Sequence, residues 1–437
     1  MKWFSSLTLV ATAAFSVHAA DLTTAYNLAK AHDPAYRAAR ATHDANVAQG
    51  AQAQSAVLPS VQLTYGANRT NVSSDVAAFD RGGYGARTAT LSASQPLYRP
   101  ANVATARQGE LQQELAQTQW QAATQDLLVR VSQAYFDVLA AQDSLALVQA
   151  QKKAVAEQLS SAQRNFDVGT ATITDTREAQ ARFDLVIAQE IAAENALRIR
   201  QIALDKLTGT ADTTVQPLSP QATLPAIAPA DMGVWVDTAR STHPTVRQAQ
   251  WGLEIAQLEH RKATAADLPT LDLTGSYSVT RNDGSTQTAQ DYRNNVTYVG
   301  LQAQWPVFAG FSIRNRIQET VSLEEKAQAD LQSALIGVEQ ATRTAYLGLQ
   351  AGMSQVRALE AAQTSGQSAL DATRTGYEVG VRVNVDVLNA QSVLFDTQTK
   401  LSQARYDVLL GHLRLRQANG SLQESDLDAI NALLAKP

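Results

Sequence analysis

The side chains of this sequence that could do chemistry do not assemble into a reaction centre. His32, His43, His243, His260 and His412 are scattered, and none stands in a spacing such as H-E-x-x-H, which sets two imidazoles on one helical face. The chain has no cysteine, which excludes disulfides, thiolate metal ligands and thiol nucleophiles, and also the lipid anchor that some exported proteins attach to a cysteine. Gly82-Gly83-Tyr84-Gly85 lacks the spacing and strand–helix setting of a phosphate loop and reads as loop. The residues therefore predict no catalytic group, no metal and no cofactor. A net charge of −5 spread over 437 residues without blocks gives no basic patch for nucleic acid. What remains is a pair of polar corners. One runs from Gly169 to Thr174 and Asp175; the other carries Tyr377, Gly380, Arg382, Asp386 and Asn389. Taken alone, the glycines suit left-handed helix ends and the aspartates suit first helical turns, where the backbone dipole favours a carboxylate. Arg382 alone reads as a solvated charge.

The elements holding these corners occur twice. Pro34 recurs at Pro244, Leu58-Pro59 at Leu268-Pro269, Leu63-Thr64 at Leu273-Thr274 and Pro96 at Pro306, each 210 residues on. After one inserted residue the offset is 211: Ala134-Tyr135 maps to Ala345-Tyr346, Val168-Gly169 to Val379-Gly380 and Asp175 to Asp386. The chain divides into a first repeat, 20–207, a proline-rich linker, 208–233, a second repeat, 234–420, and a C-terminal segment, 421–437. Each repeat has the order helix, strand, strand, very long helix, tip, helix, with tips near 167–174 and 378–384.

No proline interrupts Ala101 to Gln216 or Val307 to Lys436, and Ala, Gln, Leu and Glu dominate both stretches. Leu128, Val131, Tyr135, Val138, Leu145 and Val148 form one apolar stripe of coiled-coil spacing, which an amphipathic helix of a soluble bundle would show equally. Ala101–Phe166 is long enough for ~99 Å of helix, whereas Leu22–Val57 and Thr172–Leu207 reach ~54 Å each. Two short helices end to end match one long one, which predicts a helical wall about 100 Å tall.

Between the helices the period changes from 3.6 to 2. Val61, Leu63 and Tyr65, then Ala89, Leu91 and Ala93, then Leu271, Leu273, Tyr277 and Val279, then Val299, Leu301, Ala303 and Trp305 alternate with Thr, Ser, Gln, Gly and Asp. Strands are expected near 60–69, 87–96, 270–281 and 295–305, joined by polar loops. Alternation of this kind suits soluble hairpins packed on helices, and equally a membrane barrel with its apolar face outward. Four strands cannot close in lipid, where an open edge leaves backbone groups unsatisfied, so a barrel would need other copies of the chain. Two copies give eight strands and a filled interior; three give twelve, the smallest number leaving a useful hole if the protein is a conduit.

At the N-terminus, Lys2, the apolar or small run Leu7–Val17 and the small-x-small site Val17-His18-Ala19 predict a secretory signal peptide over 1–19. No later stretch holds 18 apolar residues, so no transmembrane helix is expected.

Gly376-Tyr377-Glu378-Val379-Gly380-Val381-Arg382, followed by Asn384 to Gln391, resembles the helix-turn-helix tip of the TolC family. Asn165-Phe166-Asp167-Val168-Gly169 with Ile173-Thr174-Asp175 resembles its first-repeat tip, and Ala404–Asp407 and the ending Asp426–Pro437 are also similar, so the resemblance covers nearly the whole chain after residue 19. It implies a mainly helical fold with a small β part: a coiled-coil helical barrel, and four strands per chain contributing to a 12-stranded transmembrane barrel. It implies a homotrimer in the outer membrane of a Gram-negative bacterium, embedded in its lipid and extending into the periplasm. It further implies an exit duct for efflux or type I secretion, docked on an inner-membrane transporter through a periplasmic adaptor (a membrane fusion protein). Tyr377 and Arg382 would link to Asp175 and the Thr174 region as a periplasmic gate, turned at Gly169 and Gly380, and Asp386 would form an acidic constriction ring. The member that gives the family its name has a second acidic residue where this chain has Asn389, which halves the expected ring charge. A soluble periplasmic coiled-coil adaptor or structural protein is the other class that the helices allow.

Overall fold

A computed structural model describes residues 20–76, 82–211, 213–219, 222–285 and 287–435. The expected signal peptide, 1–19, lies outside the described residues. The elements are α1 (Leu22–His32), α2 (Pro34–Gln54), β1 (Ser60–Val72), β2 (Gly82–Tyr98), α3 (Pro100–Asp167), α4 (Ile173–Thr208), α5 (Met232–Thr242), α6 (Pro244–Ala265), β3 (Thr270–Asn282), β4 (Tyr292–Gln304), α7 (Ser312–Glu378), α8 (Asn384–Ala418) and α9 (Asp426–Asn431). The chain is mainly α, and its residues group into two compact units. One holds the chain up to Ala39, Gln121–His243 and the part from Gly337 onward; the other holds Arg40–Trp120 and Pro244–Ile336.

The long helices follow from the absence of proline: α3 runs for 68 residues and α7 for 67. The expected single helix Leu22–Val57 is instead two, broken at Asp33, and the second repeat breaks likewise at His243. Each break precedes a proline, whose ring pushes the residue before it out of the helical region; Asp33 sits at ψ 118° and His243 at ψ 130°. Pro34 and Pro244 then open the next helix, where their missing N–H costs nothing.

In the first unit the predicted stripe is buried at Leu128, Val131, Tyr135 and Val138 and half-buried at Leu145 and Val148. Leu22, Tyr26, Phe136, Leu139, Leu204, Leu409 and Leu413 are also fully buried there. The linker is not a free tether. Val215 bridges Ala20, Leu218 bridges Leu434, and the buried Tyr135 hydroxyl accepts from the Gln216 amide at 3.0 Å. Trp235 Nε1 donates to the Pro229 carbonyl at 2.8 Å.

The second unit carries one antiparallel sheet in the order β1-β2-β3-β4. Its two hairpins keep the same register under the 210-residue offset: Leu63 faces Leu91, and Leu273 faces Leu301. The strands run further outward than the apolar alternation does. Asn71 still faces Gly83 and Asn282 faces Tyr292, because ladder hydrogen bonds need backbone and not apolar side chains. At the helix-linked end, Arg99 pairs with the buried Asp272 through two guanidinium nitrogens.

Candidate functional site

Two parts of the chain present side chains without an evident internal purpose: the tips of the long helices, and the sheet.

Both long helices end in the same way. At α3 the Gly169 amide donates to Phe166 and the Thr170 amide to Asn165; at α7 the Gly380 amide donates to Tyr377 and the Val381 amide to Gly376. These are Schellman ends, and the left-handed backbone they require falls on Gly169 (φ 77°) and Gly380 (φ 81°). The following helices begin differently. Thr172 caps α4: its hydroxyl accepts from the Asp175 amide at 3.3 Å and donates to Asp175 Oδ2 at 2.7 Å, and the same oxygen accepts from the Thr172 amide at 2.9 Å. In the second repeat the cap position is Val383, whose side chain has no oxygen to offer. Asp386 is therefore held loosely, accepting from the Val383 amide at 3.5 Å. Its carboxylate lies 3.7 Å from Arg382 Nη1, a partly exposed pair of modest worth in water.

The expected gate residues thus sit around one corner of the first unit, but within one chain they do not all meet. The Tyr377 hydroxyl accepts from Asn165 Nδ2 at 3.2 Å, and its ring packs beside the cluster of Leu370, Val387 and Leu394. Arg382 is paired with Asp386, while Asp175 is engaged by its own cap. Thr174 is exposed. Asn389 accepts from Arg182 at 2.9 Å, joining α8 to α4.

Sequence reasoning missed the centre of this corner. Asn384 is only 1% exposed; it donates to the Asp175 carbonyl at 3.3 Å and accepts from Gln158. It thereby ties α8 to α4 and α3. The 211-residue offset did not reveal it, because Asn384 stands where the first repeat has Ile173, which is itself exposed.

The sheet is unusual in the opposite sense, being apolar and uncovered. Leu63 is 73% exposed, Val299 73% and Leu301 63%, and all lie on one face with Leu91 and Tyr277. The other face is hydroxylated, with Thr88 and Thr280 3.2 Å apart and Thr90 and Ser278 3.0 Å apart. β1 and β4 each have one open edge. No helix among the described residues is long and apolar enough to cross a membrane; exposed apolar side chains also occur on the helices, among them Ile191, Ile202 and Ile336, but the sheet sets them side by side on one face.

A family model described as "Outer membrane efflux protein" matches residues 25–210 and again 235–421. This chain belongs to the outer membrane efflux protein family. The two matches coincide with the duplication. The outer membrane protein TolC of Vibrio cholerae is 33% identical over 419 residues, covering 95% of this chain and 94% of the relative. The alkaline protease secretion protein AprF of Pseudomonas aeruginosa is 32% identical, covering 93% of this chain and 86% of that one. In fold, the outer membrane protein VceC of Vibrio cholerae superposes with a TM-score of 0.79 at 19% identity, over 92% of this chain and 96% of its own. The chain is an outer-membrane channel protein of the efflux and secretion type, extending into the periplasm, and its relatives are channel proteins rather than enzymes.

Proposed function

We propose that three copies of this chain form the exit duct of a tripartite efflux or type I secretion system, doing no chemistry on what passes through. The observation carrying this reading is the uncovered sheet, apolar on one face, hydroxylated on the other and open at both edges. In the outer membrane an open edge leaves backbone groups without partners at several kcal/mol each, so β1 and β4 must pair with neighbouring copies. Three copies give twelve strands with the apolar face to lipid and the threonine–serine face to a watery lumen. In the periplasm the tip corner is the gate. Tyr377 and Arg382 hold it shut through links to the Thr174–Asp175 corner of a neighbouring tip, Asp386 and Asn389 line the constriction, and Gly169 and Gly380 let each helix pair turn sharply. A periplasmic adaptor and an inner-membrane transporter dock there and draw the corners apart. The exposed apolar strand face argues against a soluble periplasmic adaptor, which would have no lipid to cover it.

Light scattering on the full chain extracted in mild detergent tests the assembly. A stable trimer rich in helix, dissociating only on heating in dodecyl sulfate, is expected. A native, stable monomer rejects the barrel.

A further inference from the structure

Each of the four strands carries a single arginine: Arg69, Arg87, Arg281 and Arg293. The register places Arg87 directly opposite Arg281, and Arg281 directly opposite Arg293, so three guanidinium-bearing positions stand side by side on β2, β3 and β4. Residues two apart along a strand share a face, and by that count these arginines lie on the face of Leu91, Tyr277, Val279 and Leu301. Arg69 belongs to the same face, one step further out, and its guanidinium lies over Gly83. All four are exposed, and none has a carboxylate within ion-pair distance among the described residues. The acidic groups nearest in sequence are Asp75, Asp80, Asp283 and Asp291, all between the paired strands, and the Asp283 carboxylate lies over Gly85, one step beyond the row.

The position of the row along the strands is as informative as its charge. The apolar side of β3 runs from Leu271 to Val279, about 27 Å of strand, or ~20 Å of membrane after the usual tilt of a barrel strand. Arg281 is the next residue on that face, at the end joined by loops and away from the helices. Like charges directly opposite each other on a sheet repel. A row of three, on the face read as meeting lipid, is stabilised by an anion at the height where hydrocarbon gives way to headgroups.

We propose that Arg87, Arg281 and Arg293, flanked by Arg69, bind the phosphoryl groups of a phosphorylated glycolipid in the outer leaflet of the outer membrane. Strands ~4.8 Å apart set the three side chains over about 10 Å, a width that suits a polyphosphorylated headgroup better than a single ion. Arginine gives forked, charge-assisted hydrogen bonds to phosphate oxygens, and the headgroup offsets the repulsion along the row. The inference rests on the reading that the apolar strand face points to lipid.

The test uses the full-length protein in mild detergent with a metal chelator present, and native mass spectrometry as the readout. Bis-phosphorylated lipid A, its enzymatically dephosphorylated form and inorganic phosphate are the probes. The wild-type protein is expected to hold the bis-phosphorylated lipid about tenfold tighter than the dephosphorylated one, with excess inorganic phosphate failing to displace it. Arg87→Gln, Arg281→Gln and Arg293→Gln combined should abolish that preference, and Arg281→Gln alone should reduce it. Equal binding of the two lipids by the wild type overturns the proposal and leaves the row to the loop carboxylates, and it does so even if the triple variant fails to assemble. Full displacement by inorganic phosphate overturns the choice of a lipid. The underlying face assignment has its own control in this cysteine-free chain. Leu301→Cys should react with a lipid-soluble maleimide and Gln302→Cys with a water-soluble one. A reversed pattern removes the barrel reading, whereas correct labelling without phosphate preference removes this inference alone.

Discussion

At the residue scale the two tips differ by a few side chains, and those differences assign the work. Thr172 and Asp175 close a full reciprocal cap through Asp175 Oδ2, which holds that carboxylate in a fixed position at its own helix end. Val383 cannot do the same, so Asp386 is held only by a long backbone contact and an exposed pair with Arg382, which a partner outside the chain can replace. The double variant Arg382→Ser with Tyr377→Phe should therefore raise single-channel conductance in planar bilayers without lowering the yield of assembled protein. Unchanged conductance would leave both residues as helix-end fittings. Asn384 predicts something different. Asn384→Ile, which copies Ile173 of the first repeat, strands the half-buried Gln158 amide and the Asp175 carbonyl. An unmade buried hydrogen bond costs ~1–3 kcal/mol. Faster hydrogen exchange is expected at the amides following Asp175, with protection near Leu204 unchanged; uniform protection would mean that Asn384 is a bystander. Gly169 and Gly380 were legible in the sequence because a Schellman end needs a glycine there. Arg382–Asp386 was not, because which of two nearby carboxylates an exposed arginine chooses depends on which is already occupied by a cap.

At the element scale, periodicity was enough to identify strands and long helices, and it failed at their ends. The stripe from Leu128 to Val138 is buried as its spacing requires, and the alternating segments are the four strands. The interruptions at Asp33 and His243 were written in the prolines that follow them, yet an uninterrupted helical composition on both sides masked them. The outer strand ends were invisible because Asn, Gly and Arg carry no apolar period, although the backbone ladder continues through them. The same band structure yields a graded expectation. Leu91→Arg and Leu301→Arg, on the apolar face well below the native arginine row, should impair assembly in the outer membrane more than Thr90→Arg on the hydroxylated face. A lipid-facing arginine near midplane costs ~2–4 kcal/mol. Outer-membrane levels of heat-modifiable protein measure this, and equal assembly of all three variants would show the faces to be wrongly assigned.

At the scale of the whole molecule, the duplication specifies how copies should meet. β2 pairs with β3 so that Leu91 faces Tyr277 and Ser92 faces Ser276. β2 and β3 are the second strand of the first repeat and the first strand of the second. The open edges are the complementary pair: β4 is the second strand of its repeat and β1 the first of its own. Both hairpins share one register under the 210-residue shift, so the contact between copies should repeat the contact between repeats. Shifting Leu91 and Ser92 forward, and Tyr277 and Ser276 back, places Leu301 opposite Ala67 and Gln302 opposite Gly66 of the neighbouring copy. Adjacent rungs of an antiparallel ladder alternate between wide and close pairs, so one of these two couples has its Cβ atoms near disulfide distance. A chain carrying Leu301→Cys with Ala67→Cys, or Gln302→Cys with Gly66→Cys, should under mild oxidation give covalent dimers and trimers and nothing larger if the ring closes at three, as proposed. Leu301→Cys with Tyr65→Cys, two residues out of register, should link far less. Ladders extending past three chains would mean an open assembly, and efficient linkage only in the shifted pair would mean that the repeats do not set the register between copies.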